Sequence, residues 1–217
     1  MGGGWRGLGA DLLGTLLPGA CPGCGARGEP PCRRCRGGLR AAPAAPSPAG
    51  VDWCVVAFRY EGVARELIAR AKYRDERAAL GWLAGEIASL VRHAGHPFDV
   101  VTWVPASRER RVRCGVDHGR VLARALARET GRPALRLLAR GGDEPQTRRA
   151  AAGRRAGPRL RAVRPATGAR VLVVDDVVTT GATLVAAARA LRAGGAAGVG
   201  AAAAARTPAR SARGAGA

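Results

Sequence analysis

Apolar residues along this chain follow two alternating patterns: short, mostly apolar runs, and longer stretches with a helical period. The runs Trp53 to Tyr60 (WCVVAFRY), Phe98 to Val104 and Val171 to Val174 read as strands, the second stopped by Pro105. Between them, Val63 to Tyr73 places Leu67, Ile68 and Ala71 on one helical face. Arg77 to His93 repeats the pattern with Leu80, Leu83, Ile87, Leu90 and Val91. Val116 to Arg128 and the Ala/Leu-rich Leu184 to Ala193 read as further helices, and Leu135 to Ala139 as a weaker strand. Val199 to Arg206 is ambiguous: its alanines favour helix, whereas the preceding Gly194-Gly195 and the alternation of elements favour a last strand. Residues 141–158 carry glycine and arginine without any period. Strands alternating with helices predict an α/β fold, a mostly parallel sheet flanked by helices.

The chemistry concentrates where Val171 to Val174 runs into Asp175-Asp176, then Val177-Val178-Thr179-Thr180-Gly181-Ala182-Thr183. The two carboxylates stand at the carboxyl end of a strand, where open α/β sheets bind ligands. The Thr/Gly turn stands where the next helix begins, and free N–H groups and the helix dipole there favour an anion. Gly181 lets backbone approach a phosphate. Paired carboxylates beside a phosphate cradle suit sugar hydroxyls, or a Mg²⁺ that keeps most of its waters. The expected ligand is phosphorylated and rich in hydroxyls, such as a ribose 5-phosphate unit.

Upstream, Cys21 and Cys24 form one CxxC pair and Cys32 and Cys35 a second. Two such knuckles fit a tetrahedral structural Zn²⁺ site, and Gly23 and Gly25 help the backbone turn. Two disulfides would need an oxidising compartment, and an iron–sulfur cluster is a rarer alternative. So short a segment has little core, and a metal would supply most of its folding free energy. The Pro/Ala tract 41–50 reads as a linker that separates this module from the rest of the chain. The expected organisation is an N-terminal helix and Cys₄ knuckle over 1–40, the linker over 41–50, the α/β domain over 51–206 and a disordered tail over 207–217.

Composition adds less. The 217 residues carry a formal charge of +20, nearly all of it arginine, with Lys72 the only lysine. That excess attracts polyanions, but abundant Arg, Ala and Gly together also describe a compositional bias of the whole chain. Aromatics are sparse and not interleaved with the basic residues, so no stacking platform for single strands is visible. No apolar run approaches the roughly 20 residues that span a bilayer. Leu8 to Leu17 is broken by Gly9, Asp11 and Gly14 and fits an amphipathic helix better than a signal segment. A cytoplasmic protein with no membrane partner is expected. Cys54 reads as a small core residue and Cys114 as an incidental thiol in a basic loop. His93, His96 and His118 are scattered, and Asp117-His118 reads as surface.

The run from Val171 to Thr183 resembles the binding motif for 5-phosphoribosyl diphosphate (PRPP) in type I phosphoribosyltransferases. That resemblance implies that Asp175 and Asp176 face the ribose hydroxyls and that Thr179, Thr180, Gly181, Ala182 and Thr183 wrap the 5-phosphate. With the double CxxC and the linker, the chain resembles the ComF/GntX family over about residues 10–206. Arg65-Glu66-Leu67-Ile68 through Ala71-Lys72-Tyr73, Val104-Pro105-Ala106-Ser107 with Arg108, Arg110 and Arg111, and Gln146-Thr147-Arg148-Arg149 carry the rest of the likeness. Where that family has an RGFNQ-like run, this chain has Arg113-Cys114-Gly115-Val116-Asp117-His118, and Thr179 replaces the Asp of hypoxanthine-type enzymes.

In type I folds an earlier loop holds pyrophosphate; here it is expected at Pro105, Ala106, Ser107 and Arg108, a turn with backbone donors, a hydroxyl and nearby arginines. The 141–158 stretch reads equally as a mobile lid or a solvated loop. Two functions are implied. One is Mg²⁺-dependent binding of PRPP, with phosphoribosyl transfer to an unidentified nitrogen acceptor. The other is a non-catalytic role in DNA uptake, with single-stranded DNA or a helicase as partner.

Overall fold

The computed structural model describes residues 20–28, 30–71, 77–107, 109, 112, 117–141 and 158–208. The expected N-terminal helix, Arg108, Cys114, most of the 141–158 stretch and most of the tail lie outside them. The ordered elements are α1 (Arg33–Gly37), β1 (Trp53–Arg59), α2 (Gly62–Ala71), α3 (Arg77–Ala94), β2 (Val100–Trp103), α4 (His118–Thr130), β3 (Leu138–Arg140), β4 (Leu160–Ala162), β5 (Arg170–Val178), α5 (Ala182–Ala193) and β6 (Gly198–Arg206).

Four strands form one sheet in the order β1-β6-β5-β2, with every pairing parallel. Along β5 successive side chains go to opposite faces. Leu172 and Val174 join α3 and α4 residues such as Leu83, Ile87, Leu122 and Leu126 in one buried layer. Val171 and Val173 join Leu184, Ala187 and Leu191 of α5 in the other. The result is a parallel sheet covered by helices on both faces, the fold class expected from the strand–helix alternation.

The ambiguous segment near the C-terminus is strand β6. It lies between β1 and β5, and Ala201 to Ala205 are essentially inaccessible. Burial on both faces and ladder bonds on both edges outweigh the helix propensity of alanine. Small side chains at the centre let the flanking layers close in. At Gly200 even a methyl has no room, because an added Cβ would lie 2.3 Å from the Trp53 indole. That indole stacks on His96 with ring centroids 5.1 Å apart.

Other expectations need correction. The strand expected over Phe98 to Val104 is confined to Val100–Trp103, and α4 starts at His118 because Asp117 caps it, accepting the Arg120 N–H at Oδ1 (3.3 Å). The strand expected over Leu135 to Ala139 is β3, which pairs antiparallel with β4 in a separate two-stranded sheet. Its approach is fixed by Thr102, a fully buried residue whose Oγ1 accepts the Leu137 N–H (3.3 Å). Val101 also bridges Ala134 on the outer edge of β2, so this segment covers one sheet edge.

Residues 41–50 do not hold the cysteine module apart. Ala41 bridges Phe58 on the outer edge of β1, the Ala42 N–H donates to Ala57 O (3.0 Å), and the Arg59 N–H donates to Arg40 O (2.8 Å). The far end is clamped to α5, where Arg192 donates through Nε to Gly50 O (3.3 Å) and pairs with Asp52. Asp52 Oδ2 in turn accepts the Val199 N–H (2.8 Å). The module itself docks through Arg36, whose guanidinium lies 5.7 Å from the Trp82 ring centre, while Trp82 stacks on Phe58.

Candidate active site and metal centre

The parallel strands do not end together. β2 stops after Trp103, opposite Val174, whereas β5 continues along β6 to the pair Val178 and Arg206. Asp175 and Asp176 therefore belong to strand β5, past the end of β2, and the strand runs on to Val178, beyond the expected Val171 to Val174. Each carboxylate accepts the next backbone N–H: Asp176 N to Asp175 Oδ1 at 2.9 Å, and Val177 N to Asp176 Oδ1 at 2.8 Å. These bonds hold both carboxylates at the mouth of the sheet.

That mouth is a cleft of about 330 Å³. Asp175, Asp176, Thr179 and Thr183 line it from β5 and the following loop, and Pro105 and Ala106 line it from the loop after β2. Thr180, Gly181 and Ala182 complete the loop without lining the cleft. Thr180 Oγ1 instead accepts the Ala182 N–H (3.4 Å). Gly181 is the N-cap of α5 and adopts φ 77°, a left-handed conformation that glycine takes without strain. It offers no capping side chain to the first turn of α5, where free N–H groups and the helix dipole favour an anion. Ser107 belongs to the described loop but not to the cleft wall.

Among the other wall residues, those with polar side chains were not singled out as site residues from the sequence: Tyr60, Asp117, His118 and Arg140. Asp117-His118, expected on the surface, forms part of this wall. A signal existed for both: Asp117 is an N-cap, and His118 precedes Leu122 and Leu126 on the buried stripe of α4. Gly119 allows the close approach, since a Cβ there would lie 3.2 Å from Val104 O. Arg140 sits at the end of β3 and donates through Nε to Pro105 O (2.8 Å), tying the small hairpin to the loop after β2. Nothing in the three-residue strand announced it. The cleft thus carries carboxylates, Asp175 and Asp176 from β5 and Asp117 from the start of α4, with the Arg140 guanidinium among its lining. Such a surface can hold sugar hydroxyls at one end and phosphate groups at another.

The second cluster is Cys21, Cys24, Cys32 and Cys35, whose four Sγ atoms lie within 4.8 Å of one another. A tetrahedral Zn²⁺ with bonds of about 2.3 Å has sulfur–sulfur edges of roughly 3.8 Å. The Cys24–Cys32 separation of 3.6 Å is close to that, and all four cysteines are free thiols. Burial pushes the Cys21 thiol up, but the backbone N–H groups of Cys32, Cys24 and Gly23 outweigh it and bring it to about 6. Burial and the three neighbouring thiols push Cys35 strongly up. One sulfur is thus readily a thiolate, and a cation would be needed to hold four together. Gly23 is required sterically, because a Cβ there would lie 2.6 Å from Cys35 Sγ. The cluster fits a structural zinc. Cys54, expected in the core, is half-buried, its thiol pushed up by burial against the opposing effect of Arg206. No helix of the described residues is long and apolar enough to cross a membrane.

Comparison with known proteins bears on the α/β part. No curated protein sequence matches the chain. Among solved structures, it resembles one described as the allosteric regulatory enzyme of purine biosynthesis, with 26% identity and a TM-score of 0.46. It also resembles the glutamine PRPP amidotransferase of B. subtilis complexed with ADP and GMP, with 25% identity and a TM-score of 0.47. Each likeness covers 64% of this chain and 30% of the other. A purine phosphoribosyltransferase from Pyrococcus horikoshii Ot3 matches at 18% identity and a TM-score of 0.39, over 59% of this chain and 83% of that one. Residues 117–214, which run from the cap of α4 past the end of β6, match the family model of the phosphoribosyl transferase domain. The matched segment supplies β5, the 179–183 loop, α5 and β6, so over that part the parallel sheet flanked by helices is similar to a phosphoribosyl transferase domain.

Proposed function

We propose that this protein binds Mg²⁺-PRPP in the cleft at the end of β5 and transfers its phosphoribosyl group to a nitrogen nucleophile. One observation carries the reading: Asp175, Asp176, Thr179 and Thr183 meet Pro105 and Ala106 around a single cleft of about 330 Å³. That volume falls in the range of small-molecule sites. Asp175 and Asp176 accept hydrogen bonds from the ribose hydroxyls. The 179–183 loop and the first turn of α5 take the 5-phosphate. The loop from Pro105, with Arg140 beside it, takes the diphosphate. Mg²⁺ supplies charge neutralisation on the diphosphate when bound, and the carboxylates of this cleft are its natural neighbours.

In the reaction the bond from C1 of the ribose to the diphosphate oxygen breaks, a bond from C1 to nitrogen forms, and the nitrogen gives up its proton to solvent. The diphosphate leaves with the bonding electron pair. The protein contributes positioning of the two reactants and stabilisation of charge on the leaving group. The N-terminal module holds a structural Zn²⁺ through Cys21, Cys24, Cys32 and Cys35. The test is release of pyrophosphate from Mg²⁺-PRPP across a panel of nucleobases and amines. Release that depends on one acceptor supports transfer, and binding without release under any acceptor reduces the function to ligand sensing.

A second reading rests on a different surface. Arg120, Arg124 and Arg128 stand four residues apart on α4, all exposed and opposite the buried Leu122 and Leu126. None forms an ion pair with a described residue, and such a stripe attracts a nucleic-acid backbone. In this reading the protein is an accessory of DNA uptake that contacts single-stranded DNA or a helicase. Salt-sensitive DNA binding that disappears on replacing the three arginines or removing residues 21–35 would favour it.

A further inference from the structure

The loop proposed to hold the 5-phosphate is braced from outside its own domain match. Gly181 is buried, although Thr179 and Thr180 beside it are exposed. What covers it is Pro48: a Cβ placed on Gly181 would lie 3.1 Å from Pro48 Cγ and 3.3 Å from Pro48 Cβ. Pro48 itself is half-buried, whereas residues 43–47 before it are all exposed. It does not line the cleft, so it meets the loop from another side.

Its own position is fixed over a short distance. Pro48 O accepts the Val51 N–H (3.0 Å), which closes a tight turn. Past that turn, Gly50 faces Ala188 on α5, and Asp52 is held by Arg192 and by the Val199 N–H. The strap therefore grips α5 near both ends, at its N-cap and at Arg192. Proline adds a fixed φ and a rigid ring, which suits a residue that acts by contact.

We propose that Pro48 is a positioning residue for the phosphate loop, its ring holding Gly181 and the first turn of α5 in the geometry that accepts a phosphate group. The inference rests on the phosphate reading of residues 179–183. It implies that the segment matching the phosphoribosyl transferase domain is not a complete site, since its loop is set by a residue far upstream.

The test uses the full zinc-loaded chain with Pro48→Gly, which removes the ring, and Pro48→Val, which keeps apolar bulk at the contact. Two ligands are titrated separately, ribose 5-phosphate and Mg²⁺-pyrophosphate, and amide hydrogen exchange is followed over residues 179–185 without ligand. Pro48→Gly is expected to weaken ribose 5-phosphate about tenfold and to leave pyrophosphate within about twofold. Exchange over 179–185 should accelerate about tenfold, and Pro48→Val should restore most of both losses. Unchanged exchange in Pro48→Gly, or equal weakening of the two ligands, overturns the proposal. If the wild type binds neither ligand, the phosphate reading fails, while the exchange measurement still decides whether Pro48 braces the loop.

Discussion

Trp103 on β2 lies in register with Val174 on β5, and β2 ends at that pair. Beyond it, among the described residues, β5 is paired with β6 alone, and Asp175 and Asp176 open onto the cleft. Strand alternation then separates the two carboxylates. Asp175 continues the α5 side of the sheet, whereas Asp176 continues the side of Leu172 and Val174 and also borders a small apolar pocket with Leu83 and Leu122.

Arg140 should act on the diphosphate end of the cleft alone. Its Nε bond to Pro105 O positions the loop after β2. Arg140→Met should weaken Mg²⁺-pyrophosphate by about tenfold or more, the scale of one charge-assisted hydrogen bond, with ribose 5-phosphate unaffected. Equal loss of both ligands in calorimetry would count against this role.

The first strand and β6 are packed to the limit at Gly200. Gly200→Ala should cost about 1–3 kcal/mol, because the Trp53 ring would have to leave its stack on His96. Denaturant unfolding measures the loss, and an unchanged midpoint would show that the indole moves freely.

The ion pair of Asp99 and Arg170 anchors the start of β5. Arg170 donates through Nη2 to Oδ1 (2.7 Å) and through Nε to Oδ2 (3.1 Å), and its backbone N–H also reaches Oδ2 (2.8 Å). The Arg170 side chain, foremost, holds the Asp99 carboxyl down at about 2, against about 3.9 in an unfolded chain. A depressed carboxyl contributes stability that is present above about pH 4 and is lost as pH falls through about 2. Asp99→Asn should therefore melt below the wild type at neutral pH, and the gap should close as pH falls toward 2. A gap independent of pH would mean that charge on Asp99 is not the cause.

The cysteine module should bind one zinc per chain. Cys35→Ser should lose it, and so should Gly23→Ala, which pushes a methyl into the Cys35 sulfur. Elemental analysis gives the stoichiometry, and hydrogen exchange should show protection lost over residues 20–38 while Val171 to Val174 stay protected. Gly23→Ala with full zinc content would contradict the packing account.

Much of this was legible in the sequence because its signals are local. Val171 to Val174 running into two carboxylates and a Thr/Gly turn announces a strand, a ligand edge and a helix start within a few residues. Two CxxC pairs announce their own geometry. The parts that were not legible depend on contacts distant in sequence. Ala201 to Ala205 became a strand only through burial between β1 and β5. Arg140 reached the cleft through a hairpin too short to show a period, and Pro48 looked like a spacer until α5 was folded against it. His118 is the intermediate case: its helical phase with Leu122 was readable, but only the position of Asp176 on the neighbouring strand makes it part of the cleft.

The central claim is tested most directly by calorimetric titration of Mg²⁺-PRPP into the zinc-loaded wild type and into Asp175→Asn/Asp176→Asn. The wild type should bind at one site per chain. The double variant should keep its melting temperature within a few degrees and bind at least about 100-fold more weakly, since two charge-assisted acceptors are lost. Equal affinity in the two chains, or no binding by the wild type, would contradict the account.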